Sequence, residues 1–309
     1  MRNLLSGTLL WAATAGLGAC KNDQGLKELK FQAIGVSTGD FDQVEASLVR
    51  QDIGYTPYEG YIVQAAYDPT IKPSANSLKV EDLFTRSEGN DPEIDRYDAV
   101  FVNSGTRGLG AYVYNGTAAD DSLVSDPTVI ENVRNYVENG GTLVVSDWAY
   151  DLIEACWPDE ITWAGDDTVL DDAQRGTSGS VVANVDDLSL QEGLDNNTTL
   201  DITFDYSAWA VISTVASDVT TYVSGDVTYR ISDAVGDGTA TDVPLLVGFD
   251  PSGGHVLFSS FHWRAQRSQV TDGILTTLID GLTPGSGDAT GSDTGTSGSD
   301  TGTDTGGGS

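Results

Sequence analysis

The sequence predicts an α/β fold: a mostly parallel sheet with helices on both faces, extended by a β-rich insertion. Three observations carry this. The runs "AVFV" (Ala99 to Val102) and "TLVV" (Thr142 to Val145) are continuously apolar rather than alternating, as strands buried on both faces require. Between them lies an amphipathic segment, "DPTVIENVRNYVENGG", so strand and helix alternate as in a layered α/β sheet. From Ile161 to Arg230 the pattern changes to alternating Thr- and Val-rich runs, the signature of antiparallel strands.

Each element has its own local reason. "LKFQAIGVSTG" is a β-type run that stops at Ser37-Thr38-Gly39-Asp40. In "DFDQVEASLVRQDIG", Phe41, Val44, Leu48 and Ile53 fall close to helical spacing, which predicts a helix capped by Asp40 and closed by Gly54. "YTPYEGYIV" holds a second strand, and Pro69 to Asp95 is loop-rich. "RYDAVFVNSG" is a strand that ends in the turn Asn103-Ser104-Gly105. Asp126 caps the next helix, Pro127 suits its first turn, and Val129, Ile130, Val133 and Val137 form its apolar stripe. Gly140-Gly141 ends it. "TLVVSDWAY" is a buried strand followed by a short helix in "AYDLIEACW". The insertion spans about 158–240 and includes "TLDITFDYSAWAVIST" and "TTYVSGDVTYRIS". "VPLLVGF" and "HVLFSSF" then return to the core, joined by the hairpin signal "DPSGG". "SQVTDGILTTLIDGL" closes a domain placed at residues 31–283.

The first residues, "MRNLLSGTLLWAATAGLGAC", have an early Arg2, a short apolar run and small residues before Cys20, the form of a secretory signal over residues 1–19. The run is shorter than the roughly 20 apolar residues a membrane span needs. Leu17, Gly18, Ala19 and Cys20 resemble the bacterial lipoprotein signal, which implies cleavage before Cys20, its acylation, and anchoring in a lipid bilayer. Each buried acyl methylene is worth roughly 0.8 kcal/mol. Residues 20–30 then form an anchor and linker. By analogy, Lys21 after the cysteine favours the outer membrane, at its periplasmic face or at the cell surface. Residues 284–309 hold almost only Gly, Ser, Thr and Asp and read as a disordered acidic tail.

Composition narrows the partners. With a hydrophobic fraction of 39% a real core is available, and with a formal charge of −32 nucleic acid is excluded as a partner. The two cysteines are Cys20 and Cys156, so a disulfide framework and a multi-cysteine metal site are excluded if Cys20 is acylated. Cys156, in "DLIEACWPD", reads as a small buried side chain. No metal-ligand spacing is present, and no cofactor is expected.

The order "YDAVFVNSG", "VRNYVENGG", "TLVVSDWAY" and "GGHVLFSSFH" resembles the class I glutamine amidotransferase-like superfamily, in a divergent branch similar to the trehalose-utilisation family. The resemblance covers about Tyr97 to Trp148 and Pro244 to Leu282 and implies a flavodoxin-like sheet. It puts the family's cysteine nucleophile at about Ser146, its histidine at His262, and its glutamate at Arg264. The glutamine-hydrolysing set is therefore not intact here. Two functions follow. In the first, favoured here, the domain is a non-catalytic binding or structural module. Ser104, Ser146, Asp147, Trp148, His262, Trp263 and Arg264 would then line a crevice at the strand ends and meet a glycan, a small molecule or an envelope protein. In the second, a serine hydrolase uses Ser146 as nucleophile, His262 as base and Asp147 or Glu154 as the orienting acid. Plainer roles are also open: Asp147 as a helix cap, Trp148 and Trp263 as core cover, Arg264 as an ion-pair partner, and His255 as an exposed residue after the hairpin.

Overall fold

The computed structural model describes residues 33–61, 78–85, 87–89, 91–109, 122–165 and 173–279. The signal at 1–19, Cys20, the linker at 20–30 and the tail at 284–309 lie outside the described residues. Among the described residues no helix is long and apolar enough to cross a membrane.

In chain order the strands are β1 (Ile34–Ser37), β2 (Thr56–Glu59), β3 (Leu78–Lys79), β4 (Ser87–Glu88), β5 (Asp91–Pro92), β6 (Ala99–Val102), β7 (Thr142–Ser146) and β8 (Ile161–Trp163). There follow β9 (Arg175–Gly176), β10 (Gly179–Val185), β11 (Thr199–Phe204), β12 (Trp209–Ala210), β13 (Ile212–Val215), β14 (Thr220–Ser232), β15 (Gly236–Phe249) and β16 (His255–Ser259). The main sheet runs β11-β10-β14-β15-β16-β7-β6-β1-β2-β3. Its half from β16 to β3 is parallel, with Val100 level with Gly35 on one side and with Leu143 on the other, and Leu143 level with Val256. Its other half is antiparallel. The fold is thus α/β with a mostly parallel core, as its apolar runs predict.

Both faces of that core are covered, and the strand pleat explains how. Successive side chains of a strand point to opposite faces. In β6 and β7, Val100, Val102, Leu143 and Val145 go to one face and meet Val129, Val133 and Val137 of the Pro127–Glu138 helix. Ala99, Phe101 and Val144 go to the other and meet Val44 and Leu48 of the first helical segment, with Ile274 and Leu275 of the Ser268–Leu278 helix. Each fully buried Val, Leu, Ile or Phe among these contributes about 1.5–3 kcal/mol. Asp126 caps its helix through Thr128 N–H at 2.8 Å.

The β-rich insertion extends the main sheet at one edge: β14 and β15 form one long antiparallel pair, and β15 itself delivers "VPLLVGF" into the main sheet. Two sequence expectations change. The stretch from Pro69 to Asp95, read as loop-rich, holds a short helix, Val80–Thr85. The expected helix between Asp40 and Gly54 is short, Glu45–Arg50, and Asp40 does not cap it. Its start is served from a distant strand end, because Asn103 Oδ1 accepts from Val44 N–H at 3.1 Å and Asn103 Nδ2 donates to Glu45 Oε2 at 2.8 Å. The chain reverses at Asp52, whose φ of 56° is left-handed, two residues before Gly54.

Candidate functional site

The C-terminal ends of β1, β6, β7 and β16 lie side by side, so the polar residues that stop each apolar run converge. The sheet's order reverses between β1 and β6, the place where open α/β sheets usually hold ligands. Here that crevice is filled by backbone. Phe41 N–H and Asp42 N–H donate to Ser104 O, and Asp40 N–H donates to Gly105 O. Two glycines permit the approach. A Cβ on Gly39 would lie 2.2 Å from Ser104 O, and Gly105, at φ 81°, has Asp40 N 2.8 Å from where a Cβ would stand.

Next to this closed crevice is a network centred on His262. Its Nε2 lies 2.9 Å from Asp147 Oδ2, and its Nδ1 lies 2.7 Å from Asp205 Oδ1. The imidazole is 4% exposed and Asp147 is fully buried. Asp147 also accepts from Ala210 N–H at 2.7 Å and from Ser104 Oγ–H at 3.1 Å. Just beyond the ring, Asp42 accepts from Trp263 N–H and Arg264 N–H, both at 3.1 Å. Three carboxylates therefore hold one histidine and the turn that follows it.

The electrostatics follow from burial and partners. Burial disfavours a charged His262, but hydrogen bonds to Asp147 and Asp205, with the charges of Asp147 and Asp42, outweigh it and carry its pKa up to about 10. Burial pushes Asp205 up as well, yet His262 and Arg264 bring it below the ordinary aspartate value. Burial raises Asp147, and its donors from His262, Ala210 and Ser104 oppose that rise. We assign an imidazolium between two carboxylates, since both ring nitrogens then donate. Wherever the protons sit, each ring nitrogen is engaged by a carboxylate, and neither can take a proton from a third group.

Asp147 stands at a distinctive place. β7 ends at Ser146, and Asp147 opens a 3-10 turn, Asp147–Tyr150, with φ 46°. A strand-to-helix turn with left-handed backbone is the geometry that presents a nucleophile in other α/β enzymes. Here it presents a carboxylate, a residue type that tolerates this conformation. The side chain turns inward to Ala210 and His262 and does not cap the following Asp151–Cys156 helix, which has no side-chain cap.

Of the residues singled out from sequence, Ser104, Ser146, Asp147, His262 and Arg264 come together. Ser146 is buried, and its Oγ accepts from Ser104 N–H at 3.0 Å. Arg264 reaches Asp205 at 3.4 Å and Tyr206 OH at 2.8 Å. Trp148 and Trp263 pack into the two apolar cores, at 5% and 2% exposed, and Trp148 Nε1 donates to Ala208 O. Glu154 lies in the Asp151–Cys156 helix, whereas the two carboxylates on His262 are those of Asp147 and Asp205. His255 is only partly exposed, with Nδ1 2.5 Å from Asp250 Oδ1. Asp205, Asp42 and Tyr206 were not legible in the sequence, since nothing in "DFDQ" or "TFDYSA" marks them as neighbours of a histidine that follows another strand. Among the described residues no group of three or more His, Cys, Asp or Glu side chains can hold a metal ion.

No protein-family model matches the sequence, and no curated protein matches it. Solved structures similar to it include a cytoplasmic protein from Salmonella typhimurium, at 12% identity and a TM-score of 0.45, covering 80% of this chain and 98% of that one. Another is described as a GMP synthase component from Thermoplasma acidophilum, at 11% identity and a TM-score of 0.43, covering 80% and 92%. A third is a ThuA-like protein from Parabacteroides merdae, at 12% identity and a TM-score of 0.39, covering 79% and 87%.

Proposed function

We propose that this protein is an envelope lipoprotein whose glutamine amidotransferase-like domain serves as a binding or structural module rather than an enzyme. The observation that carries this reading is the double engagement of His262 by Asp147 and Asp205. A general base needs an unoccupied nitrogen within reach of the proton it removes, and both nitrogens here face carboxylates. The turn that would present a nucleophile presents Asp147, and the Ser146 hydroxyl is engaged by Ser104 N–H. The closed contact between the β1 and β6 loops points the same way.

In this reading "LGAC" supplies the anchor: Cys20 is acylated and holds the domain at the outer membrane. The anionic surface, at −32 overall, keeps the domain off anionic lipid and nucleic acid, so the acyl chains alone supply attachment. The domain then meets a glycan, a small molecule or an envelope protein. Two measurements test this. Full-length protein should incorporate labelled palmitate and sediment with membranes, and Cys20→Ser should do neither. Purified protein should release no product from glutamine or from activated esters. Turnover abolished by Ser146→Ala would overturn the non-catalytic reading.

A further inference from the structure

One polar group beside His262 is not used by its network. Ser260 Oγ is fully buried and has no hydrogen-bond partner. It lines a crevice of about 140 Å³ with Phe204, Asp205, Tyr206, Trp209 and His262, too narrow as it stands to admit a water molecule. Phe204 and Trp209 stack there, with centroids 4.0 Å apart and planes at 17°, as an apolar wall. A buried hydroxyl without a partner is costly, and such groups in a native fold call for an explanation.

Asp205 differs from the other two carboxylates around the histidine. Asp42 and Asp147 are buried and held by backbone N–H groups. Asp205 leaves 27% of its side chain exposed, and it sits on the short connection between β11 and β12. Its side-chain partners are two cations, His262 at 2.7 Å and Arg264 at a loose 3.4 Å. Its neighbour Tyr206 is 40% exposed and covers His262 edge-on at 5.5 Å. Tyr206 is steadied by Arg264, whose guanidinium carbon stands 5.6 Å from its ring centre.

We propose that Asp205 and Tyr206 form a displaceable strap over a site for a small monocarboxylate. The ligand's carboxylate would take the place of the Asp205 carboxylate on His262 Nδ1–H and the Arg264 guanidinium. Ser260 Oγ–H would supply the further donor, and the ligand's apolar end would lie on Phe204 and Trp209. A planar carboxylate matches a guanidinium and an imidazolium better than a spherical anion does. The displaced Asp205 carboxylate turns to solvent, so His262 and Arg264 keep a carboxylate partner while the complex gains one negative charge, and in a chain this acidic those two local cations must outweigh the general repulsion of anions. This rests on the reading of the domain as a binding module and gives that module a ligand class.

Acetate is the probe, titrated into the full chain at constant ionic strength against sodium chloride and followed by the NMR signals of His262, Tyr206 and Arg264. Saturable shifts with acetate and none with chloride are expected. Asp205→Asn, which weakens the internal competitor, should bind acetate at least about tenfold tighter, a gain of about 1.4 kcal/mol. Adding Arg264→Gln should remove that gain. Equal shifts with chloride, shifts that survive Arg264→Gln, or no saturation in the wild type would each overturn the proposal. The wild-type titration decides alone if Asp205→Asn does not fold. Failure here leaves the non-catalytic reading standing, whereas ester or glutamine turnover would sink that reading without touching the acetate result.

Discussion

Replacing His262 by Gln and following stability against pH tests the central network directly. On folding, the His262 pKa rises from 6.5 to about 10. The folded state therefore binds that proton more tightly than the unfolded chain. The resulting stabilisation is fully present below pH 6.5, fades as pH rises towards 10, and is gone above it. At roughly 1.4 kcal/mol per tenfold change in proton affinity, the rise amounts to about 5 kcal/mol. A second route gives a similar size. Removing one partner of a buried ion pair costs about 3–5 kcal/mol, because the other charge stays buried. Asp147 is that other charge, fully buried and left with Ala210 N–H and Ser104 Oγ–H. Asp205 adds less, since it is partly exposed and keeps Arg264. Urea unfolding of wild type and His262→Gln should differ by about 3–5 kcal/mol near pH 6 and converge near pH 10. The variant serves as the reference for every other group that titrates in that range. A variant as stable as wild type at about pH 6, or a gap unchanged up to about pH 10, would refute the assignment of a buried imidazolium.

Other outcomes follow from the same geometry. Ser146→Ala removes the acceptor of the buried Ser104 N–H and should cost about 1–3 kcal/mol in urea unfolding, with no change in any hydrolytic background. Gly39→Ala places a methyl group 2.2 Å from Ser104 O, so it should destabilise by about 3 kcal/mol or more and lower the yield of folded protein. The Cys156 thiol is buried and pushed up to about 12 by desolvation. In a Cys20→Ser background it should resist a maleimide at neutral pH and react only once urea unfolds the chain.

Local signals made the core readable from sequence. β6, β7 and the end of β15 are continuous apolar runs, and such runs suit strands that are covered on both faces. Asp126, Pro127 and Gly140 mark the ends of a helix because capping and turn chemistry act within a few residues. The same logic put Ser104, Ser146, Asp147 and His262 at one edge, since each stands where an apolar run stops. The polar partners of those residues were not readable. Asp205 lies 57 residues from His262 in sequence, and Asp42 lies 221 from Trp263, so neither pairing leaves a local pattern. The helix after β1 was overestimated because its start is held by Asn103 rather than by a cap in its own segment.

The sequence by itself determined the parallel core strands and the Pro127–Glu138 helix between them, because burial on two faces and the capping of helix ends are properties of neighbouring residues. The tertiary structure alone decided that the histidine is doubly engaged and the strand-end crevice is closed. Those outcomes depend on sheet order and on which distant loops reach the same strand ends. A hydrogen bond of about 3 Å responds to that placement and not to separation along the chain.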